Sequence, residues 1–168
     1  MMKLKPLALL IFLISFLGNA QDLNKIRLQY PNAVENSELV SQMDEMFAAT
    51  GSESEGVLLA YKGAVSTLKA KFAKQKDEKK EFFKTGVALI EAALKSDPDN
   101  IEIRYIRLSV QQNSPRFLGY HRNIEEDKAF VLNNYEKISL KDLRNVILDF
   151  VMKSGEISDI EKIELGKG

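Results

Sequence analysis

The segment SPRFLGYHRNIEED (114–127) gathers the groups of this chain best suited to chemistry. It holds the only histidine, His121, with Arg116, Tyr120 and Arg122 close by and Glu125, Glu126 and Asp127 just after. A Ser-His-Asp system would have to use His121, with Ser114 and the following carboxylates as the other members. No glycine-framed serine elbow and no HExxH pattern accompanies it. On a continuous helix over 121–126, His121 and Glu125 would share a face and could hold a metal. Two ligands fall short of the usual three or four, and Asn123 reads as a helix cap that leaves His121 outside the helix.

With no cysteine in the chain, thiol nucleophiles, thiolate zinc sites and iron–sulfur clusters are excluded. The spacing of Gly51, Gly56 and Gly63 does not match a phosphate-binding loop or a dinucleotide fingerprint. The reading is a non-enzymatic protein, with no catalytic or metal-ligating residue assigned and no cofactor expected. Its alternatives are a small hydrolase or metal-dependent enzyme using His121 with its neighbouring carboxylates, and a purely structural envelope protein.

A second set of residues suits recognition. Arg104, Arg107 and Gln111 recur at helical spacing along one side of IEIRYIRLSVQQ (101–112), and Arg116, Tyr120, His121 and Arg122 follow in the next loop. Guanidinium forks bind carboxylates through two hydrogen bonds at once. These seven residues form the candidate binding surface, with a protein or peptide as the expected partner. The competing expectation is that the arginines pair internally with Glu125, Glu126 or Asp127.

The elements that must position these residues read as helices, because apolar positions recur at 3.6-residue spacing through most of the chain. Residues 22–35 are a lead-in interrupted by Pro31. A helix from about Ser37 to Ala49 places Leu39, Met43, Met46 and Phe47 on one side, and the polar TGSESEG (50–56) follows it. The next helix carries Val57, Tyr61, Ala64, Val65, Leu68 and Phe72 on one face, with a stripe of small residues at Ala60, Gly63, Thr67 and Ala70. Glycine inside a helix costs about 1 kcal/mol relative to alanine, so Gly63 predicts close approach of a neighbouring helix. The charge run at 74–81 reads as a solvated turn or frayed helix end.

A helix over about 80–96 points Phe82, Gly86, Leu89, Ile90 and Ala93 inward and ends at SDPDN, because the residue before proline is pushed out of helical geometry. In 101–112, Ile101, Tyr105 and Leu108 form one apolar arc and Ile103, Ile106 and Val110 another, which predicts a helix held between neighbours. Pro115 stops it, and Phe117, Leu118 and Tyr120 are expected to anchor the turn in the core. Asn123 then caps a helix to about Ile138. Ser139 and Asp142 open another, with Leu143, Val146, Ile147, Phe150 and Val151 inward. Gly155 ends that helix, and an amphipathic tail closes the chain.

FKTGVALIEAALKSDPDNIEIRYIRLSV, about residues 83–110, resembles the junction between two tetratricopeptide-type repeats. Ala93 falls at that family's late small alanine, Pro98 at its junction proline and Gly86 at its earlier small position. The resemblance implies a repeat-like antiparallel helical array, in which Arg104, Arg107 and Gln111 would line a groove. The fold class expected is all-α, either such an array or an irregular bundle of about six to seven helices. The chain as a whole resembles small exported proteins of Bacteroidota.

The opening MMKLKPLALLIFLISFLGNAQD has the layout of a cleavable signal peptide. Lys3 and Lys5 precede an apolar run from Leu7 to Leu17, with Gly18 and Ala20 before a cut at Gln21. That run is shorter than the roughly 20 residues a bilayer span needs. The expected organisation is a signal peptide at 1–20 and one helical domain at 21–168, periplasmic or secreted, without stable membrane insertion after cleavage. Loss of Lys3 and Lys5 from 24 basic residues against 24 acidic ones leaves a formal charge of −2. That balance gives no argument for a nucleic-acid partner.

Overall fold

The computed structural model describes residues 23–49 and 55–166, so the expected signal peptide lies outside the described residues. The described chain is all-α, an irregular bundle of eight helices with no strand. In chain order these are α1 (23–33), α2 (Ser37–Ala49), α3 (Gly56–Phe72), α4 (Lys76–Ser96), α5 (Ile101–Asn113), α6 (Ile124–Asn134), α7 (Lys141–Lys153) and α8 (Asp159–Leu165). Single 3₁₀ turns at Arg116–Leu118 and Tyr135–Lys137 precede and follow α6. No helix among the described residues is long and apolar enough to cross a membrane.

The lead-in, whose form the sequence left open, is helical over 23–33. Ile26, Tyr30 and Ala33 recur at i, i+4 and i+7 and are all buried, and this apolar stripe carries the helix past Pro31. The charge run is divided: Lys74 and Gln75 lie in the connection, and α4 begins at Lys76. All of 74–81 is exposed, as a mixed-sign run should be. Asn100 starts α5, its side-chain oxygen accepting from the Glu102 and Ile103 amides at 3.1 and 3.2 Å. This cap satisfies two of the four orphan donors at the helix start.

The small-residue stripe has a direct cause. α3 and α4 form an antiparallel hairpin in which Gly63 and Gly86 meet backbone to backbone. A Cβ at Gly63 would sit 2.6 Å from the Gly86 carbonyl oxygen, and one at Gly86 would sit 2.5 Å from the Gly63 carbonyl oxygen. Below this crossing, the Ser66 hydroxyl donates to the Phe82 carbonyl at 2.9 Å. Lys69 lies 4.6 Å over the Phe82 ring while bonding Asp44 of α2 at 2.6 Å. The core, which includes Met43, Phe47, Tyr61, Val65, Ile90, Ile103, Ile106 and Ile147, runs between this hairpin and the remaining helices.

Gly63→Ala is expected to destabilise the fold by about 1–3 kcal/mol, because the obstructing atom is backbone and a helix-propensity gain of about 1 kcal/mol is the smaller effect. Urea unfolding checks this, with Gly155→Ala as the reference, since an added Cβ there has nothing within 4 Å. Equal stability of the two variants would contradict the close helix crossing.

Candidate functional site

α5 carries the candidate surface and is the most enclosed helix. Glu102, Ile103 and every residue from Tyr105 to Gln111 are buried. Its two apolar arcs are packed as expected, and both intervening polar edges are also covered. On one edge, Glu102 accepts from Arg27 Nε and Nη2 of α1 at 2.7 and 2.8 Å, and from the Tyr61 hydroxyl of α3 at 2.9 Å. Two turns on, the hydroxyls of Ser109 and Tyr30 share a hydrogen bond of 2.7 Å. Asn24 extends this cluster, accepting from Arg27 and donating to Asp142 of α7, each at 3.0 Å.

The opposite edge is the arginine face, and α6 lies across it. Asp127, with no exposed surface, accepts from Arg107 Nε at 2.6 Å and from Arg107 Nη2 at 2.8 Å. Arg104 Nη1 reaches the same carboxylate at 2.9 Å and also bonds Glu126. Arg104 donates through Nε to the Pro98 carbonyl at 2.9 Å and covers the Phe130 ring at 4.9 Å. Arg107 reaches Glu91 of α4 at 3.3 Å. Burial pulls the Arg107 pKa down, but the hydrogen bonds and charge of Asp127 outweigh it and leave the guanidinium more basic than usual. Glu126 is held below the ordinary carboxylate range by the Arg104 and Asn123 hydrogen bonds.

An open groove on this face is therefore corrected. Arg107 is 4 % exposed and Gln111 1 %. Neither polar side-chain atom of Gln111 has a hydrogen-bond partner among the described residues. The internal-pairing expectation describes Arg104 and Arg107, with Glu126 and Asp127 as partners. Glu125 instead bonds Lys128 at 2.8 Å.

The loop between α5 and α6 is fastened from several directions. The Tyr120 hydroxyl donates to Glu91 at 2.6 Å, and its ring meets Phe83 edge-on at 6.2 Å. His121 Nε2 lies 2.9 Å from the Ser114 carbonyl. A carbonyl only accepts, so this nitrogen carries the proton. Asn123 does not cap α6 through its side chain, which donates to Glu126 at 2.9 Å instead.

The expected apolar anchoring is also corrected: Phe117 is 86 % and Leu118 38 % exposed, while Tyr120 alone turns inward. The left-handed Gly119, φ +70°, follows the outward 116–118 turn and redirects the chain toward Tyr120. Arg116, Gly119, His121 and Arg122 line a shallow depression on the outer side. No protein-family model matches the chain, and neither a curated protein nor a solved structure matches it.

His121 makes no hydrogen bond to Glu125 or Asp127, which are committed to Lys128 and to the two arginines. Among the described residues no group of three or more His, Asp or Glu side chains is placed to hold a metal. The structure thus splits the seven predicted residues. Arg104, Arg107 and Gln111 are internal, Tyr120 is a brace, and Arg116, His121 and Arg122 converge on one surface. The partners that sequence reasoning missed are Arg27, Glu91 and Glu102. A signal existed for Arg27, which sits beside the Ile26–Tyr30–Ala33 stripe. Glu91 carries none, since its partners come from distant segments.

Breaking a buried ion pair leaves an uncompensated charge, at a cost of about 3–5 kcal/mol, whereas replacing both partners with apolar groups removes that penalty. Arg107→Met and Asp127→Leu should each destabilise by that amount in urea unfolding, and the double variant by less than their sum. Strict additivity would show that the pair is not coupled.

The tyrosines give a pH test. Burial raises Tyr30 to about 12, partly opposed by its Ser109 hydrogen bond. Burial also raises Tyr61 and Tyr105, and it acts with donation to Glu91 on Tyr120. A raised pKa favours the neutral phenol in the folded state, so this stability is complete below the ordinary value of 10.0 and is lost as pH rises toward 12. Tyrosinate absorbance should appear together with loss of helical circular dichroism. Ionisation of these four residues at ordinary pH in a fully helical protein would refute their burial.

Proposed function

We propose that the chain is a non-enzymatic interaction module that holds a protein or peptide partner against the 114–122 loop. The observation that carries this reading is Phe117, 86 % exposed on a fastened turn. Large aromatics and arginines dominate binding energy at protein interfaces, and here Phe117 stands beside Arg116. A large apolar side chain left in water serves no packing purpose, while the inward Tyr120 and the Ser114–His121 bond hold the turn that presents it.

Preorganisation lowers the cost of ordering a loop on binding. The export of the chain, read from residues 1–20, and the resemblance of 83–110 to a tetratricopeptide junction belong to the same proposal. They make the cell envelope the place of action and a helical scaffold the means of presentation. The compact pairing of Arg104 and Arg107 moves the contact surface from the middle of α5 to the loop beyond its end.

Phe117→Ala in the full chain should leave unfolding unchanged, because the side chain is exposed. It should weaken capture of native partners, measured by quantitative crosslinking in the envelope, by about 30-fold, the effect of losing a 2 kcal/mol interface anchor. Ile160→Ala on exposed α8 serves as the comparison. Unchanged capture by the Phe117 variant, with loss on the Ile160 variant, would move the interface elsewhere and end this reading.

A further inference from the structure

The chain has six arginines, at 27, 104, 107, 116, 122 and 144. Four of them are paired with carboxylates: Arg27 with Glu102, Arg104 with Glu126 and Asp127, Arg107 with Asp127 and Glu91, and Arg144 with Glu136. Arg116 and Arg122 are the exceptions. Both are exposed, and neither side chain makes a hydrogen bond or ion pair with another described residue. They lie six positions apart in the chain, yet they line the same depression with Gly119 and His121.

We infer that this depression is a carboxylate-binding subsite, in which Arg116 and Arg122 together hold an Asp, Glu or C-terminal carboxylate of a protein partner. This rests on the reading of the loop as a contact surface.

Three features select that ligand class. Two guanidiniums without internal counter-charges present planar donor forks, which match the two oxygens of a carboxylate. Gly119 leaves the wall between them low, since nothing lies within 4 Å of the position a Cβ would take. His121 has Nε2 committed to the Ser114 carbonyl, so it shapes the wall while the arginines supply the charge. The sign and size of the charge are also set locally. The loop runs directly into the first turn of α6, where Glu125 and Glu126 are exposed acids. That neighbourhood disfavours a dianionic phosphate more than a monoanionic carboxylate. Phe117, projecting beside Arg116, suits a ligand carried on a surface able to receive an aromatic ring.

The test is an NMR titration of the full chain with sodium acetate, sodium phosphate and sodium chloride at matched ionic strength. The Gly119 and Arg122 amides and the arginine Nε–H groups are the reporters. Acetate should give saturable shifts, with half-saturation on the order of 10–100 mM, as expected for a few exposed charge pairs. Arg116→Gln with Arg122→Gln should abolish saturation while leaving unfolding unchanged.

Acetate shifts no different from chloride, or shifts that persist in the double variant, would overturn the subsite. Saturation by phosphate at lower concentration than acetate would overturn its assignment to carboxylates. Phe117→Ala should leave the acetate titration intact. Loss of partner capture in that variant alongside a failed acetate titration would therefore sink the subsite and spare the interface, and the opposite pair of results would do the reverse.

Discussion

Burying Glu102 and Arg107 on one helix costs several kcal/mol per ion unless a counter-charge stands in place, and that requirement governs the packing around α5. α1 supplies Arg27 to Glu102, α3 supplies the Tyr61 hydroxyl, and α6 supplies Asp127 to Arg107. Apolar packing alone tolerates a helix sliding or turning by a fraction of a residue. A bidentate pair of 2.6 and 2.8 Å between two side chains that are almost wholly enclosed does not. The register of α6 on α5 is accordingly tied to one carboxylate, which also receives Arg104.

The two polar edges of α5 do different work. The Glu102 edge joins α1, α3 and, through the part-buried Asn24, α7, with Arg27, Glu102 and Ser109 themselves buried. The Asp127 edge grades outward: Asp127 is fully enclosed, Arg104 has 11 % of its side chain exposed, and Glu126 has 55 %. From there the bonds run on through Asn123, while Glu91 links Arg107 to Tyr120. The connection between α5 and α6 thus inherits its position from buried charges at both ends. With Tyr120 packed on Phe83 and bonded to Glu91, it needs no further apolar anchor, which explains why Phe117 and Leu118 can face outward.

Much of the architecture was legible from periodicity. The bounds of α2, the inward faces of α3, α4 and α7, and the close helix approach at Gly63 all follow from apolar spacing and the position of small residues. What periodicity does not encode is which polar group on one helix meets which on another. The arcs of 101–112 showed that α5 lies between neighbours, but an arginine stripe at that spacing serves equally for an open face and for a buried pair. The choice depended on Asp127, a residue whose place in the first turn of α6 also has a purely local explanation in the helix dipole. The SPRFLGYHRN loop misled for a related reason. Three large apolar or aromatic residues in four positions suggest a packed corner, and only the left-handed Gly119 separates the exposed pair from Tyr120.

The same accounting of charges distinguishes scaffold from surface. Where an arginine serves the fold in this protein, it has a carboxylate partner and limited exposure, as Arg27, Arg104 and Arg107 do. Arg116 and Arg122 contribute no such pair among the described residues, so removing their charge leaves no described buried acid stranded. Their placement must then be explained by something outside the fold or by nothing at all. Under the proposed function, a turn fixed by Tyr120, Ser114 and His121 would lose little further conformational freedom on binding, which raises the share of contact energy that appears as affinity. Internal ion pairing thus divides the arginines: the buried network consumes those of α5, while the two beyond it stay exposed and without a carboxylate partner among the described residues.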